Sequence, residues 1–213
     1  MRASSQIVFA STNIDKFHEM THLMGAHPEL HLVFPNGLLR NTDKIGLVEN
    51  YETYLANSAA KARLVNQGCH YPALADDSGL EITALGGKPG VHSHRFAKIE
   101  DYPSPIAQNK ANVDEVLKLM KGQSDRSARF VSVLTLVIEG VMLHGSGILE
   151  GTIAEAPLGQ KGFGYDSIFI PRGESRTLAE LSFEEKNALS HRALALQQIM
   201  DQVQTLGIQI AKP

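Results

Sequence analysis

The chain has 213 residues, 43% of them hydrophobic, which suits a single domain over 1–213 with a real core and room for two lobes. Its formal net charge of -3 excludes broad electrostatic binding to nucleic acid, so an anionic ligand would need a local group of basic residues. A single cysteine, Cys69, excludes an internal disulfide and fits a reducing, cytoplasmic setting, and no stretch approaches the ~20 apolar residues of a membrane helix. The apolar run near the N-terminus is likewise too short for the core of a signal peptide.

Ile7 to Ala10 reads as a first strand. Ser11-Thr12-Asn13 follows, then a helical pattern from Ile14 to Met24 with Phe17, Met20, Leu23 and Met24 on one side and Asn13 as N-cap. A strand running into a capped helix presents free backbone N–H groups that favour a phosphate. Lys16 lies in the first turn, where a cation opposes the helix dipole unless an anion sits beside it; a solvated surface lysine is the plainer reading.

The same helix carries His18-Glu19-Met20-Thr21-His22, the H-E-x-x-H spacing of zinc peptidases. A catalytic zinc needs a third protein ligand, and no downstream pattern singles one out, so exposed histidines on a helix face are expected. Gly25 is expected to end the helix. Leu30 to Phe34 reads as a second strand and 36–50 as a polar connection. Tyr51 to Val65 is predicted helical, with Asn57 and Lys61 on one face and Gly68 closing it.

Tyr71 to Leu74 reads as a buried strand that ends in Ala75-Asp76-Asp77-Ser78-Gly79-Leu80. Adjacent residues on an extended chain point to opposite faces, so Asp76 and Asp77 can have different jobs. Like charges side by side need a cation or donors, which leaves a metal site and a self-capped Asp-Ser-Gly turn as the two readings. Gly79 to Ile82 is a further short strand, and Leu85 to Gly90 a glycine- and proline-rich turn. His92 and His94 form an H-x-H pair without an evident third ligand.

Tyr102 to Pro105 reads as a loop and Ile106 to Met120 as an amphipathic helix with Ile106, Val113, Val116, Leu117 and Met120 inward. Arg129 to Ile138 is the strongest strand signal, and Glu139-Gly140 a hairpin turn into Val141 to Gly145, with Gly147 to Ala154 continuing the sheet. Leu158 to Asp166 is a second glycine-rich loop. Its Phe163 and Tyr165 either stack on a base or fold onto the core. Ser182 with Glu185 predicts a capping box at the head of one long helix, Glu184 to Val203, which brings Lys186, Ser190 and His191 near one face beside Arg192.

Four blocks in order carry a family likeness: Ser11-Thr12-Asn13 with Lys16 and Glu19; Ala75 to Leu80 with Gly86 to Val91, Ser93, Arg95 and Phe96; Gly162 to Asp166; and Ala179 to Leu181 through Glu185-Lys186-Asn187 to Ser190-His191-Arg192. The chain resembles the inosine/xanthosine triphosphate pyrophosphatases, which remove non-canonical purine nucleotides. The resemblance implies an α/β fold, a long mixed β-sheet flanked by helices, with two lobes and the active site in the cleft between them, and a homodimer. It implies hydrolysis of ITP, dITP and XTP to the monophosphate and pyrophosphate with Mg²⁺.

By the same resemblance Ser11, Thr12, Asn13 and Lys16 hold the triphosphate. Asp77 binds Mg²⁺ and accepts the proton of water, with Asp76 beside it, and Ser78 contacts substrate. Phe163, Gly164, Tyr165 and Asp166 hold the base, Lys186 reaches the nucleotide, and His191 and Arg192 read the purine edge. One position departs importantly from the family, and His94 and Lys98 depart in smaller ways. The family's helix motif carries a metal-holding Glu where this chain has Ala56. Losing a hard oxygen would weaken Mg²⁺, leaving either a weakened nucleotide binder or a site completed by water or by Glu52, expected one turn earlier on the same helix face.

Overall fold

The computed structural model describes residues 5–39, 42, 44–98, 104–208 and 210. Residues 102 and 103 of the expected 102–105 loop, and 209 and 211–213 near the C-terminus, lie outside them. Among the described residues six strands form one sheet: β1 (Ser5–Phe9), β2 (Leu30–Val33), β3 (Ala73–Ile82), β4 (Ser127–Ile138), β5 (Val141–Ile153) and β6 (Phe169–Pro171), in the order β2-β1-β3-β4-β5-β6. The sheet is mixed, because β1 runs parallel to β2 and β3 while β5 and β6 are antiparallel. The helices are α1 (Ile14–Leu23), α2 (Lys44–Leu47), α3 (Tyr54–Cys69), α4 (Pro105–Leu119), α5 (Phe183–Ala188) and α6 (His191–Thr205). The mixed α/β sheet flanked by helices is the expected one.

The chain divides into two compact units. Unit 1 comprises residues 1–77, 132–147 and 192–213, and unit 2 comprises 78–131 and 148–191. Unit 1 has two apolar clusters. One gathers Ile7, Phe9, Met20, Leu134, Leu136 and Ile199; the other gathers Val8, Ala10, Ala62, Val65, Ala73 and Ala75. Alternate β1 residues thus feed opposite faces, as the period of a strand requires. Unit 2 packs Leu80, Ile82, Val116, Phe130, Ile168 and Phe169 into one core.

Several boundaries differ from the sequence reading, each for a local reason. The pieces expected around Asp76-Asp77 are one continuous strand, β3, because partners described below satisfy both carboxylates. Helix α3 starts at Tyr54, since the Thr53 hydroxyl caps it by accepting from Ala56 N. It runs past Gly68 to a left-handed cap at His70. Gly68 serves packing instead: a Cβ there would meet Leu39 Cδ2 at 2.6 Å.

Gly25 does not cap α1 either; it sits in a 3₁₀ turn, Met24–Ala26. Ile106, expected inward, is 81% exposed in the first turn of α4, while Val113, Val116 and Met120 are buried. The single long C-terminal helix is two helices, α5 and α6, broken at Leu189 and Ser190. Buried Lys186, Asn187, His191 and Arg192 decide that break, since burial of polar groups outweighs the weak helix preference of the stretch.

Candidate active site

In unit 1, β1 hands over to α1 through Ser11-Thr12-Asn13. Asn13 is the expected N-cap, its Oδ1 accepting from Lys16 N at 3.0 Å, and Asn13 N donates to Ser11 Oγ at 3.1 Å. Ser11 is buried and Thr12 exposed at this helix start. The Lys16 side chain turns to Asp76, with Nζ 2.9 Å from Oδ2. The anion that this first-turn lysine calls for is therefore a carboxylate of the same unit.

Asp76 and Asp77 point to opposite sides of β3 and live in opposite electrostatic states. Asp76 is fully buried; Ser132 Oγ donates to Oδ1 at 2.7 Å, and Arg192 Nε donates to Oδ2 at 3.3 Å beside Lys16. Burial alone would raise its pKa, but the cations Lys16 and Arg192, with Lys61 farther off, outweigh it and hold the carboxyl well below the usual range. Arg192 is tied on its other side to Glu19, with Nη1 2.9 Å from Oε2.

That bond removes the zinc-peptidase reading. Glu19 faces inward, bound to a guanidinium, while His18 and His22 are exposed. Among the described residues no group of three metal-ligating side chains exists.

Asp77 meets Asn57 and Lys61, the two α3 residues placed on one face by their spacing. Asn57 Nδ2 donates to Oδ2 at 3.1 Å and Lys61 Nζ to Oδ1 at 3.2 Å. Lys61 also donates to the Asp76 carbonyl at 2.7 Å and to Glu49 Oε1. Burial pushes the Asp77 carboxyl up, the Lys61 and Lys16 charges only partly offset this, and Glu49 adds to it. Lys61 is itself buried, which lowers its pKa, yet Asp77 and Glu49 more than compensate and its charge is held.

Glu49 is the residue that the sequence reading missed. It lies in the polar connection, without periodicity, and only the fold brings its carboxylate onto the ammonium that holds Asp77. Asn57 fixes this approach by pairing its amide with both backbone groups of Tyr51, at 3.0 and 3.1 Å. Glu52 is not where it was expected. It is exposed and precedes the Thr53 cap, so it is outside α3 and shares no helix face with Ala56.

Unit 2 carries the second group of expected residues. Asp166 accepts from Phe163 N at 2.8 Å and from Lys186 Nζ at 2.5 Å, both on Oδ2. The Lys186 ammonium also lies 4.9 Å from the Phe163 ring centre. Gly162, with φ of 74°, brings the backbone so close that a Cβ would sit 2.1 Å from Asp166 Oδ2.

The two loop aromatics separate. Phe163 is half-buried, while Tyr165 belongs to the core and donates its hydroxyl to Ser93 O at 2.7 Å. Burial pushes that phenol's pKa up, so it stays protonated. Gly164 follows Phe163 with φ of 61°. Ser78 is half-buried on β3, and His191 is buried with its ring stacked on Phe130 at 5.2 Å. The Ser182–Glu185 capping box that starts α5 is present with both of its hydrogen bonds.

The Ham1 family model matches residues 7–202. A dITP/XTP pyrophosphatase of Christiangramia forsetii is 37% identical over 196 residues, covering 92% of this chain and 97% of that one. One from Aquifex aeolicus is 34% identical over 198 residues, covering 92% and 95%. Among solved structures, a HAM1 protein from Coxiella burnetii superposes with a TM-score of 0.74 at 36% identity, over 95% of this chain and 98% of that one. With the fold, the motif order and nearly the full length shared, the chain belongs to the Ham1 family.

Proposed function

We propose that the chain hydrolyses non-canonical purine nucleoside triphosphates, dITP and XTP as in the named relatives and ITP with them, to the monophosphate and pyrophosphate. The observation that carries the reading is the pair of adjacent aspartates in opposite states, Asp76 locked as a charged anchor and Asp77 raised in basicity beside a buried ammonium. In the proposed reaction Asp77 takes a proton from water as the water oxygen bonds to the α-phosphorus. The α–β anhydride bond breaks and pyrophosphate leaves with that electron pair.

The helix start at Ser11, Thr12 and Asn13, with Lys16, is assigned to the polyphosphate. Phe163, Gly164 and Asp166 with Lys186 are assigned to the base and nucleotide, and Ser78, His191 and Arg192 keep the contacts that the family resemblance implies. Tyr165 shapes the loop from the core rather than stacking on the base.

Hard carboxylate oxygens suit Mg²⁺, and Asp77 with Glu49 is the donor set that fits, since one ammonium already holds both. Mg²⁺ there would offset phosphate charge and favour hydroxide near neutral pH. Asp76 is less suited, because it is fully buried and already paired with two cations, Lys16 and Arg192. Exposed Glu52 is a weaker candidate than Glu49. With Glu49 present, Ala56 does not strip the site of its second carboxylate, so a catalytically weakened binder is not favoured.

The cytoplasm is the proposed location, supported by the single free cysteine. Among the described residues no helix is long and apolar enough to cross a membrane. A homodimer is proposed from the resemblance, with light scattering on the purified chain as its check. The deciding experiment is a panel of nucleoside triphosphates assayed for pyrophosphate release with and without Mg²⁺. Selective, Mg²⁺-dependent release from ITP, dITP and XTP is expected; equal rates with ATP and GTP would sink the substrate assignment.

A further inference from the structure

The Glu19–Arg192 bond frees two histidines of the H-E-x-x-H stretch from any role in peptide hydrolysis, and what remains is a helix face with its own chemistry. Helix α1 is fixed in rotation about its axis. Glu19 and Met20 are buried, one on Arg192 and the other in the core. That orientation leaves positions 18 and 22 outside, and both histidines are exposed. Residues four apart on a helix have their Cβ atoms roughly 5–6 Å apart and lean the same way, so two imidazoles can reach one ion from adjacent turns. Both positions lie within the regular part of α1, which runs from the Asn13 cap to Leu23. Asp15, exposed and three residues before His18, falls on the same stripe and adds a negative charge that favours a cation.

We propose that His18 and His22 form a bidentate surface site for a borderline-soft divalent cation, Zn²⁺ or Ni²⁺, distinct from the carboxylate centre at Asp77. Imidazole nitrogen selects such ions over Mg²⁺, which demands hard oxygen donors, so the two sites do not compete for one metal. Among the described residues no third ligand completes the pair, and water fills the remaining positions. The site is accordingly exchangeable rather than structural. Bound metal clips two turns of α1 together and stabilises the native chain by linkage.

The test uses the full chain, stripped with a chelator and dialysed, then titrated with ZnCl₂ or NiCl₂ alone by calorimetry. One site per chain is expected, accompanied by a rise in thermal midpoint. In His18→Gln and in His22→Gln the affinity falls by no less than about ten-fold, the cost already attached to losing an outer-shell partner, and the rise in midpoint disappears. Each variant's metal-dependent rise is read against its own metal-free melting, so a change in intrinsic stability does not enter the comparison. Adding Thr21→His to the His22→Gln chain rebuilds a pair at three-residue spacing and restores binding. Zinc binding that survives both single variants would place the metal on other histidines and overturn the proposal. So would a titration that shows no binding to the wild type.

Discussion

Asp76 in unit 1 and Asp166 in unit 2 are both buried carboxylates that hold cations, yet they are built in different ways. Asp76 stands mid-strand and receives Ser132 from β4, Lys16 from α1 and Arg192 from α6. Four regular elements meet on one charge, and none of them can shift without breaking its own ladder or turn. Asp166 stands at the end of a glycine loop and receives one backbone N–H from that loop and one ammonium from the short helix α5. The first arrangement suits charges that must be fixed before a polyanion arrives, because preorganised dipoles need no reorganisation during reaction. The second suits recognition of a base, where a loop can adjust its fit.

Within unit 1 the contrast sharpens between the neighbours Asp76 and Asp77, and the largest expected effect lies there. Asp77→Asn is expected to lower kcat for pyrophosphate release by about 10³-fold, within the range for a general base. The same variant should cost less stability than Asp76→Ala, although it withdraws the largest compensating charge from the buried Lys61 ammonium. Burial raises the Asp77 pKa, so the native state binds a proton more tightly than the unfolded one, and ionisation of Asp77 costs stability once pH passes its folded value. A neutral isostere escapes that cost. Full activity in Asp77→Asn would remove Asp77 as the group that takes the proton of water.

Next in size is the comparison of the two anchors by urea unfolding. Asp76→Ala leaves Lys16 and Arg192 facing a buried void, and a loss of about 3–5 kcal/mol is expected for breaking such a network. Asp166→Ala strands one ammonium and one loop N–H, for which roughly 1–3 kcal/mol is expected. Equal losses would mean that the loop in unit 2 is as tightly determined as the strands in unit 1. Gly162→Ala probes the loop directly. Its Cβ collides with Asp166 Oδ2 at a backbone angle that disfavours any side chain, so KM for the nucleotide should rise with Asp77-dependent turnover retained.

What the sequence made legible was local. The Asn13 cap, the Ser182–Glu185 box and the Glu139-Gly140 turn, with φ of 49° and 78°, each need only neighbouring residues. The pairing of Asn57 with Lys61 was readable from helix spacing alone. Glu49 was not, because its carboxylate becomes meaningful only when α3 and β3 bring Lys61 and Asp77 to it. The continuity of β3 through two aspartates was hidden for the same reason: the cations that make it tolerable come from residues 16, 61 and 192. The break between α5 and α6 has no glycine or proline to announce it and follows from burial of the polar side chains on either side.

The pH dependence of stability separates contributions within unit 1 and gives the smallest expected effects. Asp76 has a folded pKa far below its reference of 3.8, so its contribution is complete above that value and is lost as pH falls below it. Asp76→Asn should flatten this acid limb. His144 on β5 moves in the range nearer neutrality. Its Nδ1 lies 3.0 Å from Thr135 Oγ1, which in turn is 2.7 Å from Ser58 Oγ, and Gln202 donates to its carbonyl at 2.7 Å. Partial burial first, and then the charge of Arg63, lower its pKa below 6.5. The unfolded chain therefore takes up this proton before the native chain does, and stability falls as pH drops through that region. Urea midpoints measured between about pH 8 and pH 5 should decline in the wild type and decline less in His144→Gln. Because His144 is only partly buried, its share is small beside that of Asp76, and an equal decline in both chains would assign this part of the curve to other groups.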